Sequence, residues 1–154
     1  MKFQVALIAA AATLVAATPA AANEVRVEAR GGMTFGESQS EEAVAGIAAG
    51  YDLSVGDQGA FFGVEASGDK ILIDNSGLVL GATARTGFRT GPAKFFIAGG
   101  YSHLTCDLCS DAVHIGAGAE VDVASNVYGK VEYRRFFFDG IDSNVVAAGV
   151  GVRF

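Results

Sequence analysis

Lys130-Val-Glu132-Tyr-Arg134 sets three charges of alternating sign two residues apart, and Arg26-Val-Glu28-Ala-Arg30 repeats the pattern near the other end of the chain. In an extended chain, residues two apart share a face. Each triplet is therefore a line of acid and base on one side of a strand. The chemistry open to such lines is ion pairing, either as the wall of a narrow ion path or as a seal that fills one. The same face of other segments adds Glu65, Arg85, Arg89, Glu120, Asp122 and Arg153. Acids and bases in similar number predict a paired network, because an unpaired buried charge is very costly. We expect Glu28, Arg30, Glu65, Arg85, Glu120, Lys130, Glu132 and Arg134 to form its body.

Other reactive types are sparse. Cys106-Asp-Leu-Cys109 is a C-x-x-C. In an exported chain its first reading is a small disulfide across a loop tip. Redox-active thiols would need a strand–helix–strand context that is absent here. Zinc needs about four ligands, and only His103 and His114 lie near. Ser102 and His103 are adjacent, so on a strand they point to opposite faces, and His114 is six residues from Glu120 on its own face. No G-x-S-x-G nucleophile turn is present. We expect no catalytic residue, no metal and no cofactor.

The elements that position these groups are eight alternating segments, at about 24–35, 43–55, 60–72, 77–90, 93–104, 111–123, 126–138 and 144–154. Gly, Asn, Asp, Ser and Pro clusters separate them, among them Gly36–Glu41, Gly56–Gly59 and Thr90-Gly-Pro92. The strands exceed the usual length in water-soluble proteins, about five or six residues, and match a tilted crossing of a bilayer. Alternation alone does not say which face is inside. The polar parity is rich in Gly46, Gly50, Gly100, Gly116, Gly118, Gly149 and Gly151, which suits a crowded barrel interior better than a watery surface. On the apolar parity Tyr51, Phe62, Phe88, Phe95 and Phe154 gather toward one rim, and Phe35, Tyr101 and Phe137 toward the other. Paired aromatic girdles are a mark of barrels in the outer membrane. Phe61, Phe96, Tyr128, Phe136 and Phe138 fall on the opposite parity, so they fill the interior or sit at a rim. Lipid cannot satisfy an open strand edge, so the sheet must close. The expected fold is an all-β, eight-stranded antiparallel up-and-down transmembrane β-barrel.

Residues 1–22 read as a cleaved secretory signal, with Lys2, an apolar stretch from Val5 to Ala17, and Ala20-Ala-Ala22 before the cut. Residues 23–154 then form one domain. Without Lys2, the 11 basic and 17 acidic residues of the chain become 10 and 17. That balance excludes nucleic acid as a natural partner. Glu37, Glu41, Glu42, Asp69, Asp74, Asp107, Asp111, Asp139 and Asp142 fall in loops and rims on one side, opposed there by Lys70. The set reads as a solvated acidic rim or as divalent-cation sites bridging to lipid phosphates. Arg135 falls on the lipid parity, where it can reach a headgroup phosphate.

With these strands and the terminal Val150-Gly-Val-Arg-Phe154, the chain resembles the small eight-stranded outer-membrane β-barrel family: the OmpA transmembrane domain, OmpX and the opacity-type surface proteins. The resemblance implies a place in the bacterial outer membrane. It also implies a lumen plugged by an acid–base network, and Phe154 as an assembly signal for the barrel-insertion machinery. Outer-membrane lipid and lipopolysaccharide are the implied surroundings. The implied role is structural or in surface interaction. The alternatives are a narrow porin-like channel or a lipid-modifying barrel enzyme, although the H-x-S pattern of lipid A deacylases has no match here.

Overall fold

The computed structural model describes residues 23–36, 39–73, 76–105, 111–138 and 142–154. The leader expected over residues 1–22 lies outside them, as do Cys106, Cys109 and the rim acids Glu37, Asp74, Asp107 and Asp139.

Eight strands follow one another: β1 (Asn23–Gly36), β2 (Gln39–Val55), β3 (Ala60–Ile71), β4 (Leu78–Thr90), β5 (Ala93–Leu104), β6 (Ala112–Asp122), β7 (Val127–Phe137) and β8 (Asp142–Arg153). Each pairs antiparallel with the next, and β8 pairs with β1, so the sheet is a closed barrel. Beyond the ladder, Phe154 donates its amide to the Val25 carbonyl at 2.9 Å and accepts from the Val25 amide at 3.2 Å. The last residue of the chain thus completes the seam. The expected segments agree closely with the strands except at two hairpins. Gln39–Glu41, expected in a turn, belong to β2, because β1 keeps pairing outward, with Thr34 opposite Glu42 and Gly36 opposite Gln39. Asp142 and Ser143, expected in the turn before the last strand, belong to β8, opposite Phe137 and Phe136.

The two parities take opposite environments. Ile47, Ile97 and Val131 are 68, 64 and 59% exposed on the outside, whereas Arg26 and Glu120 are fully buried within. This is a water-soluble protein turned inside out, and hydrocarbon is the solvent that tolerates such a surface. Phe62, Phe88, Phe95 and Phe154 are exposed around the rim that carries the chain ends. Phe35, Tyr101 and Phe137 are exposed around the opposite rim, which we call the loop rim.

Small residues on the inner face are there for space. A Cβ on Gly118 would stand 2.5 Å from Phe96 Cζ, and one on Gly50 would stand 2.6 Å from Arg26 Nη2. The large groups of the lumen lie directly on these bare stretches of wall.

Candidate functional site

Period-two alternation sends every second side chain into the lumen. The barrel's stagger then decides which strands' charges meet at one height. In the middle of the lumen Glu65 of β3 is the common acceptor. Arg26 Nη2 reaches it at 2.8 Å, Arg134 Nη2 at 2.6 Å and Arg30 Nη1 at 3.2 Å. Glu132 takes Arg134 Nε at 2.5 Å and Lys130 Nζ at 3.0 Å. Glu28 contacts Lys130, lies 3.6 Å from Arg26, and accepts the Tyr128 hydroxyl at 2.9 Å. Arg30 holds Asp69 in a two-point grip, Nε at 2.8 Å and Nη2 at 2.6 Å.

A second tier lies toward the chain-end rim. Arg85 grips Asp52 through Nε at 2.9 Å and Nη2 at 2.5 Å, and its third nitrogen contacts Glu120. Lys94 bridges Asp52 and Glu24, each at 2.8 Å. Arg153 meets Glu120 at 2.7 Å and Glu24 at 3.2 Å, and contacts Asp122. Arg89 joins Glu24 and Asp122 at 3.0 and 2.9 Å. Arg26 links the tiers, since its Nε is 3.7 Å from Asp52.

The ionised lumen is neutral. Glu24, Glu28, Asp52, Glu65, Asp69, Glu120, Asp122 and Glu132 face Arg26, Arg30, Arg85, Arg89, Lys94, Lys130, Arg134 and Arg153, eight against eight. Desolvating so many charges is tolerable only with that balance and with forked, two-point pairing. The excess acid of the chain falls outside the network.

Aromatic rings fill what the charges leave. Phe61, Phe96 and Tyr128 are buried in the lumen. Arg85 Cζ lies 4.9 Å from the Phe96 ring and 5.3 Å from Phe61, Lys94 Nζ 4.6 Å from Phe61, and Arg153 Cζ 4.2 Å from Tyr128. Cations on aromatic faces gain electrostatic attraction in a dry site.

All eight residues expected to form the network face the lumen. Glu28, Arg30, Glu65, Lys130, Glu132 and Arg134 meet in the middle tier, and Arg85 and Glu120 meet in the second. Asp52 and Lys94 were missed, although Gly50 and Phe96, two residues away from each, marked their parity. Asp69 needs correcting. It was expected in the acidic rim opposed by Lys70, and it turns inward to Arg30, because inward parity continues past Ser67 to the end of β3. Phe154 stands 60% exposed outside the barrel.

The hydroxyl and imidazole groups form a further cluster that strand adjacency in sequence hid. His114 Nδ1 is 3.0 Å from Ser102 Oγ, and His114 Nε2 is 2.9 Å from Thr83 Oγ1. Ser102 and His114 are 2% and 0% exposed. Both ring nitrogens are thus bound to hydroxyls, which satisfies the buried imidazole as part of the wall. Among the described residues, no group of three or more His, Cys, Asp or Glu is placed to hold a metal ion.

At the loop rim, on the outer surface, Asp111 accepts from the Tyr101 hydroxyl, and His103 Nδ1 lies 2.6 Å from it. The Tyr101 hydrogen bond first, and His103 second, hold the Asp111 carboxyl below the usual range. Arg135 pairs with Asp142 at 2.6 Å and lies over the Phe137 ring at 5.4 Å.

A closed eight-stranded barrel with an apolar exterior and a charged interior defines an integral outer-membrane protein. Residues 7–154 match the family model of the outer membrane protein beta-barrel domain, and the chain belongs to that family. It is a protein of the bacterial outer membrane. Neisserial surface protein A is similar in structure, at 21% identity and a TM-score of 0.59, over 89% of this chain and all of that one. The N-terminal β-barrel domain of Pseudomonas aeruginosa OprF is similar at 18% identity and a TM-score of 0.64, over 85% of this chain and 97% of that one. The outer membrane enzyme PagL is similar at 14% identity and a TM-score of 0.57, over 82% and 98%. At these identities the likeness is one of fold, and the scaffold is shared by an enzyme. No curated protein matches the chain.

Proposed function

We propose that this barrel is a closed, non-conducting outer-membrane protein with a structural or surface-interaction role. The observation that carries the reading is the neutral lumen network, eight acids against eight bases, underlaid by the rings of Phe61, Phe96 and Tyr128. An ion entering such a lumen would have to displace forked pairs that already satisfy one another, with little water to replace them. A narrow channel lined by charge is the alternative. Recordings of the purified protein in planar bilayers separate the two. Silence at the single-channel level is the expected result, and steady conductance steps would replace this reading with the channel.

The enzyme alternative has less support, because the Ser102–His114 pair is sealed inside the wall. Lipid A mass profiles with and without the protein are expected to be identical. For partners, the reading keeps outer-membrane lipid and lipopolysaccharide around the girdles, and the barrel-insertion machinery during assembly through Phe154. Cys106 and Cys109 are proposed to form a loop disulfide.

A further inference from the structure

The inner face of the barrel changes character near the loop rim. Below that level it carries charges, glycines and hydroxyls, with the rings of Phe61, Phe96 and Tyr128 packed against the cations. Above the pairs Arg30–Asp69 and Arg134–Glu132, the buried hydroxyls of Thr34 and Ser143 share the wall with six apolar side chains, Val44, Ile71, Val79, Leu104, Phe136 and Val145. The six apolar side chains are only half-buried, and they surround most of a cavity of about 80 Å³. Lipid cannot explain apolar residues on this parity, since the lumen side does not meet the bilayer. Nor does packing among the described residues account for them, since none of those fills the space they enclose. Polar side chains would leave such a mouth hydrated at no cost. Apolar walls leave it poorly hydrated, and an apolar occupant gains by removing that surface from water.

We infer that the mouth of the lumen is a binding site for an uncharged, ring-sized apolar molecule, a single aromatic ring or a short branched aliphatic. Three observations select this class. The volume admits one ring-sized group, and a mouth walled mainly by Leu, Ile, Val and Phe side chains favours a small apolar molecule. The floor is electrically balanced, with Arg30 gripping Asp69 at 2.6 Å and Arg134 gripping Glu132 at 2.5 Å. A charged ligand would therefore break a pair to gain a partner. One side of the wall is aromatic, with Phe136 and Phe138 stacked at 6.3 Å and 20°, a surface that favours an offset ring.

The test is a titration of the full chain in phospholipid nanodiscs with benzene, followed by methyl NMR of Ile, Leu and Val. The inward methyls of Val44, Ile71, Val79 and Leu104 are expected to shift and saturate. The lipid-facing methyls of Ile47, Ile97 and Val131 report benzene dissolved in the bilayer, and they are expected to drift without saturating. Ala147→Phe, which fills the cavity, is expected to remove the saturable component and leave the drift. The wild-type titration decides the matter even where that variant folds poorly. Inward methyls that do not move, or that only drift with the lipid-facing set, would overturn the site. Saturable binding of benzoate or benzylamine tighter than benzene would overturn the uncharged class. Contacts from lipid chain protons to the inward methyls before any benzene is added would make the occupant an acyl chain and overturn the small-molecule assignment.

Discussion

Arg26 Nη2 lies 2.8 Å from Glu65 Oε2, joining β1 to β3 over the bare wall at Gly50 of β2. Arg134 of β7 reaches the other oxygen of the same carboxylate at 2.6 Å. Glu65 thus ties three parts of the cylinder together through one side chain. Glu65→Gln keeps the volume and removes the charge, leaving the three buried guanidiniums of Arg26, Arg30 and Arg134 one counterion short. Breaking a buried pair in this way costs about 3–5 kcal/mol. Urea unfolding of the refolded variant in detergent is expected to show a loss of that size, and an unchanged midpoint would mean that the network relaxes freely around the gap.

The aromatic tier is separable from the ionic one. Phe96 and Tyr128 lie under Arg85 and Arg153. Truncating both, Phe96→Ala with Tyr128→Ala, opens room for water beneath the charges. Planar-bilayer recordings of the double variant are expected to show small conductance steps that the wild type lacks. Continued silence would assign the seal to the ion pairs alone.

Two glycines make a matched comparison. A Cβ on Gly118 would meet Phe96 Cζ at 2.5 Å and the Val131 carbonyl at 2.6 Å, whereas one on Gly129 would meet nothing within 4 Å. Gly118→Ala is expected to lower the fraction of protein that migrates as the folded, heat-sensitive band on SDS gels. Gly129→Ala is expected to leave that band as it is. Equal effects would mean that the crowding at Gly118 is readily absorbed.

The end of the chain carries its own prediction. Phe154 pairs with Val25 through two backbone hydrogen bonds and holds its ring on the outer surface. Deleting it removes the last rung of the closing seam and the proposed assembly signal. Outer-membrane levels of the deletion are expected to fall, and wild-type levels would contradict the signal role.

At the loop rim, the Asp111 carboxyl is held below its usual range first by the Tyr101 hydroxyl. A depressed carboxyl favours the ionised, hydrogen-bonded arrangement above its ordinary value, and that contribution fades as pH falls through the lowered one. Carboxyl NMR is expected to show Asp111 titrating below the ordinary aspartate range, and Tyr101→Phe is expected to move its midpoint upward. No movement would leave His103 as the main cause.

Much of this protein follows from a period of two. Alternation along residues 23–154 determined eight strands, two faces, the girdles around Phe88 and Tyr101, and the inward placement of Glu28, Glu65 and Lys130, because a strand has no other way to arrange its side chains. Which charges touch was decided only by closure. The pairs Arg26–Glu65, Lys94–Asp52 and Arg153–Glu120 join residues 33 or more positions apart, and the stagger of the closed sheet sets their common height. The same stagger turned Asp69 from a rim acid into Arg30's partner, brought Ser102 to His114, and gathered Val44, Ile71, Val79, Leu104 and Val145 around the mouth of the lumen. Periodicity is local and is written in the chain, whereas the height at which distant strands meet is a property of the whole cylinder.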